Sequence, residues 1–331
     1  MNRRLRWVAA AAAASLALVL SACGGGSSGT EVAAGADGKV KLRVTSLSLC
    51  NELGLYTKDG GYFDKHGLDV EFVKATGGNA GVAALQSGAA DVVTVSPAAV
   101  FNAMAQGIDL TIVSGAGRTT PETHGIIVKA DSPLQGPKDL AQGKTLAVVE
   151  LSGTGAALTK KWVENATGGQ TDLKFTALPF PELAPAVVNG TVTAAQVTAS
   201  EIFTVTKAGT GRSIGNAIYE ASGGPTPVSL YAVSPDFLAK NQKTMEQFTA
   251  AMQEAAVSAN DPNNTEKFDV FSSYCKQPAA DLAQIPQVTF EGNIDRASFM
   301  RMVKVVHDAN MIPADFQPET KVAEFAWAPN T

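Results

Sequence analysis

The sequence predicts an α/β protein of two lobes with a ligand cleft between them. Three observations carry this. Short strand patterns alternate with short helical patterns, the alternation runs twice, and a strand after the second round reads as a return to the first lobe. At roughly 150 residues per domain, a chain of 331 residues is long enough for about two such units.

The first round opens with Val40, Leu42 and Val44 alternating with Lys41, Arg43 and Thr45, the period of a half-buried strand. Leu68, Val70 and Phe72 repeat it. Asp91-Val92-Val93-Thr94-Val95 and Leu110-Thr111-Ile112-Val113 are continuous apolar runs suited to a buried sheet. Between them, 81–87 and 97–105 have helical patterns, each closed by a glycine, Gly88 and Gly107.

The second round follows Asp131-Ser132-Pro133. Strands are predicted at 144–149, 173–178 and 194–198, helices at 155–165, 182–189 and 201–207, and a further strand at 214–219. Ser222-Gly223-Gly224-Pro225 closes the round, and 228–233 reads as a strand returning to the first lobe. After Ser234-Pro235 a long helix carries Met245, Phe248, Met252 and Ala255 on one face, a stripe expected to be core packing. The remainder reads as helices finishing the first lobe. The first lobe is therefore 39–130 plus 227–331, the second 131–226, joined by two crossings. A cleft between such lobes is where a small ligand binds.

The first residues read as an address. Asn2-Arg3-Arg4-Leu5-Arg6 is basic, and the apolar run at 7–20, interrupted by Ser15, is shorter than the about 20 residues of a membrane span. Residues 1–22 are read as a signal peptide ending in Leu20-Ser21-Ala22-Cys23. That ending resembles a bacterial lipobox, which implies cleavage before Cys23 and lipid attachment to it. Residues 23–38, beginning Gly24-Gly25-Gly26-Ser27-Ser28-Gly29, are a flexible tether. The expected product is exported and lipid-anchored to the outer face of the cell membrane, or periplasmic. Cys50 and Cys275 then lie in an oxidising compartment, where they either pair or remain two separate buried thiols.

Composition removes several classes. A net charge of −5 with no Lys/Arg cluster argues against a nucleic-acid partner. Three His and three Cys, widely scattered, argue against a metal or haem framework, and no cofactor is expected.

Four phrases carry a family resemblance. Gly61-Tyr62-Phe63-Asp64-Lys65-His66-Gly67-Leu68-Asp69-Val70 is followed by Gly77-Gly78-Asn79 with Ala84-Leu85-Gln86-Ser87-Gly88-Ala89-Ala90-Asp91-Val92. Lys138-Asp139-Leu140 with Gly143-Lys144-Thr145-Leu146-Ala147-Val148 comes next, and then Val188-Asn189-Gly190-Thr191-Val192-Thr193-Ala194. In this order they resemble the nitrate/sulfonate/taurine/thiamine-precursor group (SsuA/THI5-like, NMT1-like) of ABC-importer substrate-binding proteins. The resemblance implies the two-lobed periplasmic-binding-protein fold, type II. It also implies a small-molecule ligand, a permease and an ATPase as partners, a monomer, and no enzymatic activity. Thr193 stands where the group usually has Asp, and Thr57 where it usually has Ala. The loop Ser46-Leu47-Ser48-Leu49-Cys50-Asn51 matches no named subgroup, so ligand identity transfers least.

The group's pocket lies at turns that this sequence supplies. Gly78 and Asn79 lie in a turn that precedes a helix in the first lobe, and Ser96 precedes Pro97 at another helix start. Ser152, Gly153 and Thr154 open a helix in the second lobe. Ser48 and Leu49 sit in the first loop, and Thr198 and Ser200 end a second-lobe strand. Helix N-termini stabilise anions, and Arg118 at a strand end suits a sulfonate or carboxylate clamp. Against this, Ser96 and Ser152 as simple helix caps and Arg118 as a solvated surface residue are the plainer readings. Glu182 and Glu201 near the cleft favour a neutral or amine-bearing ligand instead. His124 near the crossing reads as structural, and Phe180 and Tyr231 as core.

Two rivals remain. Gly211-Arg212-Ser213-Ile214-Gly215 matches the nucleophile string of serine hydrolases, but a helix precedes it and a predicted strand follows, the reverse of the required order. A sensor lipoprotein that reports ligand without transporting it would share every feature above.

Overall fold

The computed structural model describes residues 31–169 and 171–329. The predicted signal peptide, the predicted lipid-attachment residue Cys23 and the first part of the predicted tether lie outside the described residues.

The first lobe begins with β1 (Val40–Ser46), α1 (Leu53–Asp59), α2 (Tyr62–Lys65), β2 (Leu68–Lys74), α3 (Gly78–Gln86), β3 (Val93–Val95), α4 (Pro97–Ala105) and β4 (Thr111–Arg118). The chain then crosses into β5 (His124–Lys129), α5 (Pro137–Leu140), β6 (Thr145–Val148), α6 (Thr154–Thr167) and β7 (Lys174–Ala177). The second lobe continues through α7 (Leu183–Val188), β8 (Ala194–Thr198), α8 (Ala199–Lys207), β9 (Gly211–Ser213) and α9 (Ala217–Ser222). It crosses back into β10 (Pro227–Val233), α10 (Pro235–Asn260), α11 (Lys267–Cys275), α12 (Ala279–Leu282), β11 (Thr289–Phe290) and α13 (Arg296–Asp308).

β1 and β2 pair in parallel, and a parallel bridge from Val44 to Val92 joins them to the ladder β3-β10-β4-β11. The second sheet has the order β7-β6-β8-β5-β9. Each sheet holds one strand arriving directly from the other lobe, and that strand pairs antiparallel with both its neighbours: β10 with β3 and β4, β5 with β8 and β9. The crossings at 119–123 and 223–226 run side by side. The Thr119 N–H donates to the Thr226 carbonyl at 2.9 Å, and the Thr226 N–H donates to the Thr119 Oγ1 at 3.0 Å. The two threonines thus form the connection about which the lobes can rotate.

Two sequence expectations need correction. Residues 124–129 were assigned to the first lobe, but His124 pairs with Thr198 and Ile127 with Ser213, so the second lobe begins at β5. The Pro-containing turn at 131–133 marks the end of that strand, and a strand's own composition does not say which sheet it joins. The strand predicted at 214–219 is instead a break followed by α9. Gly215 has a φ of 143°, and the Asn216 side chain caps the helix by accepting from the Tyr219 N–H at 3.1 Å.

The stripe on α10 is core. Met245, Phe248, Met252 and Ala255 are fully buried, with the Phe248 ring 5.2 Å from Phe63 and 5.4 Å from Tyr231. Such packing fixes the first-lobe sheet, and hence the carboxyl ends of its strands, against α10. Among the described residues no helix is long and apolar enough to cross a membrane.

Candidate functional site

The carboxyl ends of β3 and β6 face one another across the cleft, and the N-termini of α3, α4 and α6 converge there. Two glycines permit the approach: a Cβ on Gly78 would sit 2.8 Å from Val95 Cγ2 and 3.1 Å from Glu150 Oε1, and one on Gly153 would sit 2.6 Å from Glu150 Cγ, whereas one on Gly77 would make an ordinary contact with Glu150 Oε2 at 3.5 Å.

Glu150, in the turn between β6 and α6, reaches into the first lobe. Its Oε2 accepts from the Asn79 N–H at 3.3 Å, and its Oε1 accepts from the Ser96 hydroxyl at 3.2 Å. Asn79 lies in the first turn of α3 and Ser96 immediately precedes α4. Thr154, the first residue of α6, accepts from the Ala98 N–H of α4 at 3.2 Å. Second-lobe side chains therefore cap both first-lobe helices, serving N–H groups that have no partner within their own helix. The Asn79 amide also donates to the Ser152 hydroxyl at 3.2 Å. Neither serine caps its own helix: Ser96 makes no side-chain cap bond, and the N-cap of α6 is Gly153.

These contacts enclose a cavity of about 120 Å³. Six of the predicted binding residues line it: Leu49, Gly78, Ser96, Gly153, Thr154 and Thr198. Asn79 and Ser152 meet at its rim instead. Ser48 stands beside the lining loop but not on the wall, its φ of 58° turning the chain there and its N–H donating to Ser46 Oγ at 3.0 Å. Ser200 lies outside the wall. It accepts from the Gln277 amide at 2.9 Å and sits 3.7 Å from the Cys50 sulfur, linking α8 to the first lobe. Arg118 is not in the cavity either, because Glu291 at 2.8 Å and Asp295 at 3.7 Å hold its guanidinium. Burial pushes the Glu291 carboxyl up to about 8.

Sequence reading missed Glu150 as a contributor, along with Thr119, Gln196 and Leu47. His124 and Phe180, read as structural or core, also line the cavity. Burial lowers His124 to about 4, so the ring is neutral at physiological pH. Thr198 donates its hydroxyl to Glu201 Oε2 at 2.6 Å, and burial raises the Glu201 carboxyl.

The cavity wall also rests on a buried acid. Glu52 Oε2 accepts from the Ser46 hydroxyl at 3.0 Å and from the N–H groups of Leu47 and Leu49 at 3.2 and 3.3 Å. Burial outweighs these bonds and raises Glu52 to about 7. A disulfide joins Cys50 in this loop to Cys275 at the end of α11.

The Gly211–Gly215 string does not form a nucleophile elbow. Ser213 lies on the edge strand β9, its Oγ accepts from the Gly215 N–H at 3.4 Å, and α9 begins only at Ala217.

Comparison with solved structures shows the same fold. The alkanesulfonate-binding protein SsuA from Xanthomonas axonopodis pv. citri, bound to MOPS, superposes with a TM-score of 0.70 at 17% identity, over 86% of this chain and 98% of that one. The periplasmic aliphatic sulphonate binding protein SsuA from Escherichia coli gives 0.67 at 18%, over 86% and 98%. The periplasmic nitrate-binding protein NrtA from Synechocystis PCC 6803 gives 0.69 at 15%, over 86% of each chain. No curated protein sequence matches this chain significantly. The family described as NMT1/THI5 like matches residues 51–265, which is more than half of the chain. With the two-lobed periplasmic-binding-protein fold already established from its sheets, the chain belongs to the NMT1/THI5-like family.

Proposed function

We propose that this protein is the extracytoplasmic solute-binding component of an ABC importer, a lipoprotein anchored through Cys23 that captures a small organic molecule between its lobes and delivers it to a permease served by an ATPase. The observation that carries the reading is the cavity between the two sheets, reached by three helix N-termini and flanked by paired crossings. Such a cleft can close by rotation about the crossings, and a ligand drives closure only by contacting both walls. The contacts of Glu150 and Thr154 with α3 and α4 supply a closed arrangement for a ligand to stabilise. Binding and release require no covalent chemistry, which fits the displaced Ser213. The sulfonate- and nitrate-binding neighbours lend support to an anionic ligand, as do the helix N-termini. The Glu150 carboxylate, which accepts at the start of α3, speaks against it and is treated below.

The test is a thermal-shift screen of the mature chain against small sulfonates, nitrate-like anions, carboxylates, amines and neutral heterocycles. A ligand at 100 times its Kd contributes about 2.7 kcal/mol to stability, a shift of several degrees. A chain that binds none of them, and that hydrolyses esters in a manner lost in Ser213→Ala, would contradict the proposal.

A further inference from the structure

We infer that the polar end of the cleft's ligand is a positively charged hydrogen-bond donor, an ammonium or amidinium group, and that the Glu150 carboxylate receives it. The inference rests on the solute-binding reading and adds the ligand's charge.

The anion seats of the first lobe are already filled. The Asn79 N–H and the Ser96 hydroxyl both donate to Glu150, and Gly78 and Gly153 leave the room that its side chain occupies. An incoming oxoanion would find these donors engaged and a carboxylate beside it, and like charges at contact distance repel strongly in a water-poor site.

Among the described residues no lysine or arginine lines the cavity, and the candidate of the sequence, Arg118, is paired with Glu291 and Asp295. His124 is held neutral by burial.

Donors remain at the α6 start and on the Gln196 amide, but the carboxylate beside them keeps free acceptor sites. Each Glu150 oxygen takes one of the two bonds, which leaves lone pairs on both, since a carboxylate offers about four acceptor sites. Thr198 has its hydroxyl proton committed to Glu201. A donor-rich cation matches the free acceptor sites of Glu150, and Leu49, Val149 and Phe180 leave an apolar wall for its carbon body.

The experiment measures binding of acetamidinium, ethylammonium, methanesulfonate, nitrate and acetamide to the mature wild-type chain by thermal shift and titration calorimetry at constant ionic strength. Glu150→Gln, which keeps an acceptor for the Asn79 N–H, is measured beside it. The expected result is that only the two cations raise the wild-type melting temperature, and that Glu150→Gln weakens them at least tenfold. Methanesulfonate or nitrate binding to the wild type, acetamide binding alone, or cation binding unchanged in Glu150→Gln would each overturn the inference while leaving the solute-binding reading intact. Binding of no probe and of no solute in the wider screen would overturn both. The wild-type comparison needs no variant to fold.

Discussion

The Ser96 hydroxyl donates to Glu150 Oε1 at 3.2 Å, across the gap between a first-lobe helix and a second-lobe turn. The residues are 54 positions apart in sequence, and the bond closes the cleft from one side. On the other side Lys207 pairs with Asp281 at 2.7 Å, tying α8 to α12. These polar contacts are ones that water can replace, and they act beside an apolar cluster in which Ala98 and Phe299 of one lobe join Trp162 and Ala217 of the other.

Gly153→Ala should disturb the first of these contacts. The new methyl would stand 2.6 Å from Glu150 Cγ, so the glutamate must swing away from Asn79 and Ser96. Gly153 has a φ of −89°, which alanine adopts without strain, so the effect isolates the displacement. We expect a loss of about 1–2 kcal/mol in urea unfolding, the range of a lost helix cap, and a larger radius of gyration by small-angle scattering.

Thr154→Ala removes the acceptor for the Ala98 N–H. A loss of about 1 kcal/mol is expected, with Thr154→Ser recovering most of it because the hydroxyl remains. The double variant Ser152→Ala with Thr154→Ala should weaken solute binding while its circular dichroism stays native.

The Cys50–Cys275 disulfide spans a sequence separation of 225 residues and ties the cavity's first loop to α11. Replacing both cysteines by serine should cost about 2–5 kcal/mol and lower the melting temperature by calorimetry. Reductant should lower the wild type toward the variant and leave the variant unchanged.

Glu52 makes stability depend on pH. Its folded value, about 7, lies above the ordinary 4.5, so the native state binds the extra proton between those values. The Glu52 contribution is therefore largest at low pH in this window and is lost as pH rises through 7, by up to about 3 kcal/mol, while His124, lowered to about 4, acts in the opposite sense between about 4 and 6.5. Glu291, raised to about 8, acts in the same sense as Glu52. Glu52→Gln should remove its own share of the decline between pH 5 and 7 and leave the Glu291 share, which runs on to about 8, as read from melting temperatures between pH 5 and 8.

Much of the fold is legible in local patterns. The alternation at 40–45 becomes β1, and Pro97 with its apolar helix becomes α4 over the predicted residues, because period and punctuation are local properties. The lobe that owns β5 is not local: Ile126 to Val128 are equally buried in either sheet, and only the pairing to β8 decides. Ile214 and Tyr219 suggested a strand through their β propensity, which the Asn216 cap overrode. In the site, the helix starts were visible as Gly and Ser-Pro turns. Glu150 was not, since its partners Asn79 and Ser96 come from 71 and 54 residues away and nothing beside it marks the contact. Arg118 misled for the same reason: Glu291, which engages it, lies in a different part of the chain.

The most direct measurement is a crystal structure of the mature chain with whichever probe of the thermal-shift screen raises its melting temperature most. The account predicts density for that molecule between α4 and α6, touching Thr154 from one lobe and the Gly78 or Ser96 turn from the other. Density on an outer face, with the cleft unchanged from its Glu150-bridged form, would contradict it.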